Sequence, residues 1–282
     1  MALLDSIIST LVYLGASFVL FFLGKLAYQL FHRKINVKDE LVEKDNLAFA
    51  VAHTGYFVGL LLAIGSAIIG PSQGLALDLL DLLIYGVMAI VLLNVSIIIN
   101  DKLILRKFSV YKEILEDRNV GTGVVEGANA VATGLILLGA ISGDGGSLWT
   151  ALIYWGIGQS LLILTELVYN LVTPYDLHEH IEKDNVAVGI GFAGAMISIG
   201  NLIRFAMMHD FISWEDSLTS LGIDVGIGLL FLPLVRFLTD KILLPGQNLT
   251  DELINQEHPN IGASLIEAFA YIGGSVLITW AL

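Results

Sequence analysis

Eight apolar stretches of 20 residues or more divide this chain, near 8–31, 46–69, 76–100, 119–141, 149–172, 185–208, 215–238 and 260–282. At about 1.5 Å per helical residue, each is long enough to cross the ~30 Å hydrocarbon core of a bilayer. Inside that core each segment must satisfy its own backbone polar groups, so the stretches read as helices. The expected fold class is an all-α integral membrane protein of eight transmembrane helices with almost no soluble part. Hydrophobic residues at 56% and a mean hydropathy of +0.79 agree with it. No basic residue precedes the first stretch and no small-residue cleavage site follows it, so it is expected to be a span and not a removable leader.

A register recurs four times. Asn46, Asn119, Asn185 and Asn260 each open an apolar stretch, with an acid three residues before: Glu43, Glu116, Glu182 and Glu257. Four and eight residues after each stand Ala50 and Thr54, Gly123 and Gly127, Gly189 and Ala193, Ser264 and Ala268. Asn is a favoured helix N-cap, and an acid suits the positive helix end. Small residues four apart form a face on which helix backbones approach closely. The four Asn are therefore expected to be caps and the small residues a packing device.

The halves also match. Glu43-Lys44-Asp45-Asn46 recurs as Glu182-Lys183-Asp184-Asn185, Asp101-Lys102 as Asp240-Lys241, and Tyr13, Gly15 and Tyr28 as Tyr154, Gly156 and Tyr169. Residues 1–142 and 143–282 thus read as two four-helix halves, each of two hairpins. A two-span unit returns the chain to the same side, so all four hairpins should be parallel copies related by an axis along the membrane normal. Four hairpins around a central axis is the simplest arrangement; two four-helix halves side by side is the alternative.

Basic residues fall in alternate connections. Arg33, Lys34, Lys38 and Lys44 follow the first span, and Lys102, Arg106, Lys107, Lys112 and Arg118 the third, whereas 70–77, 142–148 and 209–214 contain no Lys or Arg. By the positive-inside rule the basic loops face the cytoplasm, and both termini lie on the opposite, periplasmic side.

Seven residues after each Asn come His53, Glu126, Phe192 and Glu267. This position lies ~10 Å beyond the cap, within the hydrocarbon. Ionisable side chains there are costly and mark functional sites by default. Lys25 and Glu166 occupy equivalent places in the two halves, so five titratable groups share one level of the membrane. They read either as a register-fixing ion-pair network or as a belt that handles protons or cations. Asp224, mid-span in the seventh stretch where Tyr13, Tyr85 and Tyr154 stand in the others, belongs to an ion path or bonds a neighbouring hydroxyl. Asn94, Asn129 and Asn201 are expected to bond between helices, Asp78 to be solvated, and His178 with His180 to lie in a solvated loop.

Other chemistry finds no support. The chain has no cysteine, so disulfides and thiolate metal sites are absent. There is also no phosphate loop, no HExxH, no GxSxG and no GxGxxG after a strand. No enzymatic activity, cofactor or metal is expected, and a net charge of −13 argues against nucleic acid.

The paired hairpins marked by Glu-Lys-Asp-Asn with Ala/Gly spacing, the Asp-Lys-Ile/Leu-Leu segments and the Asn-Val-Gly…Val-Glu run resemble the YjfL-type bacterial inner-membrane proteins, a family of unknown function. Typical members resemble one half of this chain, which therefore looks like a tandem duplication. The resemblance implies a bacterial inner-membrane location and carries no reaction. The functional expectation is conduction or transport of protons or small cations. Glu126 and Glu267 would be carriers, His53 a modulator, Lys25 and Glu166 a tuning charge pair and Phe192 a constriction. The alternative is a non-transporting scaffold whose polar residues hold helices together. Partners would be the bilayer and the ions, with homo-oligomer formation left open.

Overall fold

The computed structural model describes residues 2–69, 72–143, 145–244 and 246–281. Among them eight helices are long and apolar enough to cross a membrane. In chain order the helices are α1 (Ala2–Phe31), α2 (Leu47–Ile69), α3 (Leu75–Ile99), α4 (Val110–Leu115), α5 (Val120–Ser142), α6 (Leu148–Val172), α7 (Leu177–Glu182), α8 (Val186–Met207), α9 (Trp214–Leu238) and α10 (Ile261–Ala281). α4 and α7 are short loop helices; π-helical turns at Asp39–Glu43 and Asp251–Asn255 stand in the corresponding loops of the first and last hairpins.

Each marked helix begins the same way. Asn46 Oδ1 accepts from the Phe49 amide at 3.1 Å, Asn119 from Thr122 at 2.8 Å, Asn185 from Val188 at 3.0 Å and Asn260 from Ala263 at 3.0 Å. The residue before the first three caps, Asp45, Arg118 or Asp184, is left-handed with φ of 50°, 55° and 56°. That turn brings the Asn amide back to a carbonyl of the loop, Glu40, Glu113 or His180. Before Asn260 stands Pro259, whose ring forbids positive φ, and the amide there reaches Glu252 across a longer loop.

The Asn side chains also link successive hairpins. Asn46 Nδ2 donates to the Ile114 carbonyl at 2.9 Å, Asn119 to Ile181 at 2.7 Å and Asn185 to Leu253 at 2.9 Å. This chain of bonds holds all four caps on one side of the bundle, hereafter the cap face. At three of the four caps the supporting acid is not the one three residues before but one in the loop turn, while Glu179 in the third hairpin pairs with Lys183. Glu40 and Glu113 accept from Asn46 and Asn119 at 2.9 Å each, and Glu252 from Asn260 at 2.7 Å. Glu43, by contrast, is exposed and paired only with Lys38 at 3.7 Å.

The expected ring of hairpins is replaced by an open row. α2 packs along α5, α5 along α8 and α8 along α10, while α1, α3, α6 and α9 form a second layer over them. The reason lies in which faces touch. A Cβ on Gly123 or Gly189 would collide with the preceding marked helix, at Ala48 and Gly121. A Cβ on Gly55 or Gly194 would collide with the following one, at Gly127 and Ala268. Positions four and eight after the Asn therefore face backward along the row, and position nine faces forward. At ~100° per residue the two faces are roughly 100–140° apart, about 120° on average. A ring of four would need ~90°, so the helices run on as a row.

Candidate functional site

The residues seven after each Asn all meet the first helix of their own hairpin. His53 lies against Tyr28 of α1, with ring centroids 4.6 Å apart. Glu126 accepts a short hydrogen bond from Asn100 at the end of α3. Phe192 is fully buried with its ring 5.2 Å from Tyr169 of α6. Glu267 pairs with Arg236 of α9 at 2.7 Å. Each contact lies within its own hairpin, and neighbouring ones meet: Tyr28 and Glu126 line one cavity, and Tyr169 and Glu267 converge beside Gly191.

His53 is 3% exposed, and neither ring nitrogen has a hydrogen-bond partner. Phe49 and Tyr56 stack on it at 5.2 and 5.9 Å, and Phe57 meets it edge-on at 4.4 Å. Unpaired buried imidazole nitrogens are costly, and an aromatic surround offers them only ring faces and edges.

The two glutamates differ in what answers them. Arg236 spans between Glu267 and Thr250 Oγ1, the latter at 3.1 Å, and lies 5.5 Å over the Tyr175 ring. The carboxyl fits only because residue 191 is glycine, since a Cβ there would run into Glu267 Oε2. Between the halves, Ile97 stands where Arg236 does, so Glu126 faces no base from that position. It faces Asn100 and, within hydrogen-bonding reach, the Asp101 carboxyl. A π-helical turn at Asn100–Ile104 presents these two consecutive side chains to one neighbour. Such turns recur at functional sites. Tyr28, His32, Asp101, Tyr111 and Glu126 line a cavity of 50 Å³ whose rim is the cap-face loops. It has room for a few waters or a small cation and not for an organic solute.

The predicted Lys25–Glu166 pair does not form. Lys25 is exposed on α1, and α1 and α6 do not pack together. Glu166 instead takes Arg106 from the loop after α3 at 3.1 Å, with His178 at 3.6 Å. His178 is not solvated: it is 1% exposed and its Nε2 lies 2.7 Å from the Ile104 carbonyl. Beside it Lys107 bonds Asp176 at 2.5 Å and holds that carboxyl below the usual range. This cluster fastens the two halves together. Asp224 is half-buried on α9 and feels the charge of His209 in the α8–α9 connection, at the face opposite the caps. Asp78, also expected in water, accepts from Tyr13 at 2.5 Å and Ser72 at 2.6 Å. Asn94, Asn129 and Asn201 do cross helices, to Tyr56, Ser96 and Ser275.

Asn100, Asp101, Arg106, His178 and Arg236 lie outside the residues that the sequence register marks as a site. The recurrence of Asp101-Lys102 as Asp240-Lys241 was the signal that this segment mattered.

The duplicated four-helix pattern has a counterpart among known proteins. The profile of the family described as Domain of Unknown Function (DUF350) matches residues 2–141 and again 145–282. The chain belongs to this family. As a DUF350 protein it carries the family domain twice in tandem. It is also similar to a UPF0719 transmembrane protein of Aquifex aeolicus (strain VF5), 23% identical over 257 residues, covering 90% of this chain and 92% of the relative. No solved structure matches it. This is a multi-pass membrane protein with an internal repeat.

Proposed function

We propose that this protein moves protons or small cations across a bacterial inner membrane, with Glu126 and Asp101 as the binding pair. It works without enzymatic chemistry, with its cap face toward the cytoplasm and both termini periplasmic. One observation carries the reading: an intramembrane carboxyl pair, without the arginine that answers its counterpart, at a small cavity rimmed by the basic loops. Two bare carboxylates at hydrogen-bonding distance repel, so the pair holds a proton or a cation between its oxygens. Glu267 and Glu166, each tied to an arginine, are structural. His53 and Tyr28 border the pair on the α1–α2 side, and Phe192 is an apolar block in the third hairpin.

A scaffold is the second reading, favoured by those two arginine pairs and by the Asn94, Asn129 and Asn201 bonds. Flux in proteoliposomes separates them. Wild type should leak protons or monovalent cations above empty liposomes across pH ~5 to 8, a range that spans the usual histidine titration. Glu126→Gln and Asp101→Asn should each lower that flux at least tenfold, and Glu267→Gln should lower it far less. No wild-type flux would favour the scaffold. Unchanged flux in both Glu126→Gln and Asp101→Asn would remove the pair from the path.

A further inference from the structure

The row of hairpins has two unlike ends, and each lacks what every internal junction has. Internally, the first helix of a hairpin lies in the furrow between both helices of the hairpin before it. α3 packs on α1 and α2, α6 on α3 and α5, and α9 on α6 and α8. The corresponding furrow between α9 and α10 is empty. It is an apolar groove of 580 Å³ lined by Phe231, Val235, Phe269, Gly273, Leu277 and Trp280, among others. At the other end α1 is the least covered of the eight spans.

Apolar exposure inside a bilayer is ordinary, so the loops on the cap face are the sharper evidence. Asn46, Asn119 and Asn185 are 1%, 1% and 7% exposed because the next loop covers them; Asn260 is exposed. Ile114, Ile181 and Leu253, whose carbonyls receive those Asn, are 6%, 0% and 0% exposed. Their counterpart in the first loop, Leu41, is 36% exposed and its carbonyl has no Asn to receive. The donor without a following hairpin and the acceptor without a preceding one sit on the same face of one chain, at opposite ends of the row.

We propose that a second copy of this chain continues the row. Its α1 lies in the α9–α10 furrow, its α2 lies along α10, and its Leu41 loop covers Asn260. The contact is heterologous, one end against the other, and such contacts close into rings or extend as chains. Phe269 stands where the internal junctions have Gly55, Ala128 and Gly194. The seam between copies is therefore wider than the seams within one chain, and it comes apart more easily.

The absence of cysteine makes the test clean. Leu41→Cys and Ile261→Cys are made in separate copies, co-expressed and treated in membranes with a short bismaleimide; Thr54→Cys with Phe269→Cys is the second pair, within the bilayer. All four sites are exposed surface positions, so the variants keep the fold. The expected result is a covalent dimer only when the two different variants are mixed. A dimer formed by Ile261→Cys or Leu41→Cys alone would show a two-fold contact and overturn the proposal. Monomers from both pairs would overturn it as well and leave the furrow to lipid acyl chains.

Discussion

Asn119 donates from Nδ2 to the carbonyl of Ile181 at 2.7 Å while its Oδ1 caps α5 through the Thr122 amide at 2.8 Å. One side chain starts a helix and fastens the next hairpin to it. Asn119→Ala should lose the cap, about 1 kcal/mol, and strand a buried carbonyl, about 1–2 kcal/mol more. Within one chain Asn260→Ala loses the cap and an exposed bond to Glu252, and strands no buried carbonyl. Thermal unfolding in mild detergent should therefore rank Asn119→Ala clearly below Asn260→Ala; equal losses would mean that the link between hairpins contributes nothing.

The close seam between α2 and α5 gives a steric prediction. Gly55→Ala would push a methyl into the Gly127 backbone, which cannot yield without parting the helices. Overpacking of this kind costs about 1–3 kcal/mol. Gly15→Ala, with open space around its Cβ, should be neutral. The measurement is the melting temperature of both variants in the same detergent.

Arg236 and Glu267 should behave as a buried pair. Arg236→Met leaves the Glu267 carboxylate unanswered and should cost about 3–5 kcal/mol. Replacing both with Met should recover most of that loss. A double variant no better than Arg236→Met would show that Arg236 acts through Thr250 and Tyr175 instead.

Two equivalent loop glutamates should respond oppositely to pH. At Glu40 burial pushes the carboxyl up, but hydrogen bonds from Lys44 and Asn46 outweigh it and hold the group below its ordinary 4.5. Its stabilisation is present above that value and is lost as pH falls through the lower folded value. At Glu113 burial prevails over the Asn119 bond and the carboxyl sits above 4.5. Stability there is present below the ordinary value and is lost as pH rises through the higher folded one. Glu40→Gln should be less stable than wild type at pH 7 and converge with it in acid. Glu113→Gln should gain on wild type as pH rises past 4.5. Melting curves in one detergent over pH 3.5–7 would check both signs.

Topology is open to a direct check. Reporters fused at either terminus should read periplasmic, and one inserted at residue 110 cytoplasmic. A cytoplasmic C-terminus would remove one of the eight spans or reverse the orientation.

The spans, the caps and the duplication were legible because hydropathy and a fixed Asn register report them directly. The ring was not avoidable from that register alone. It names the backward-facing small residues, Gly123 and Gly127 for instance, but not the forward-facing Gly55 and Gly194, and the angle between the two faces decides row against ring. Glu43 and its counterparts drew attention because they precede Asn at constant spacing. Glu40 and Glu113 do the work through a left-handed turn that no spacing rule reveals. Glu126 was visible as an intramembrane acid, yet its distinction from Glu267 rests on Ile97 opposite Arg236. That contrast has meaning only once α3 and α9 are known to face the two glutamates.

The row also orders the chain in time. Asn46, Asn119 and Asn185 each bond a carbonyl that is synthesised later, in the loop of the following hairpin. If the chain inserts pair by pair from its N-terminus, the edge that each new pair must join is already in place and already bears its donor. Structures whose units touch only their neighbours can grow by such single additions. Growth here proceeds in one direction, from α2 toward α10, and no finished hairpin has to be reopened to admit the next.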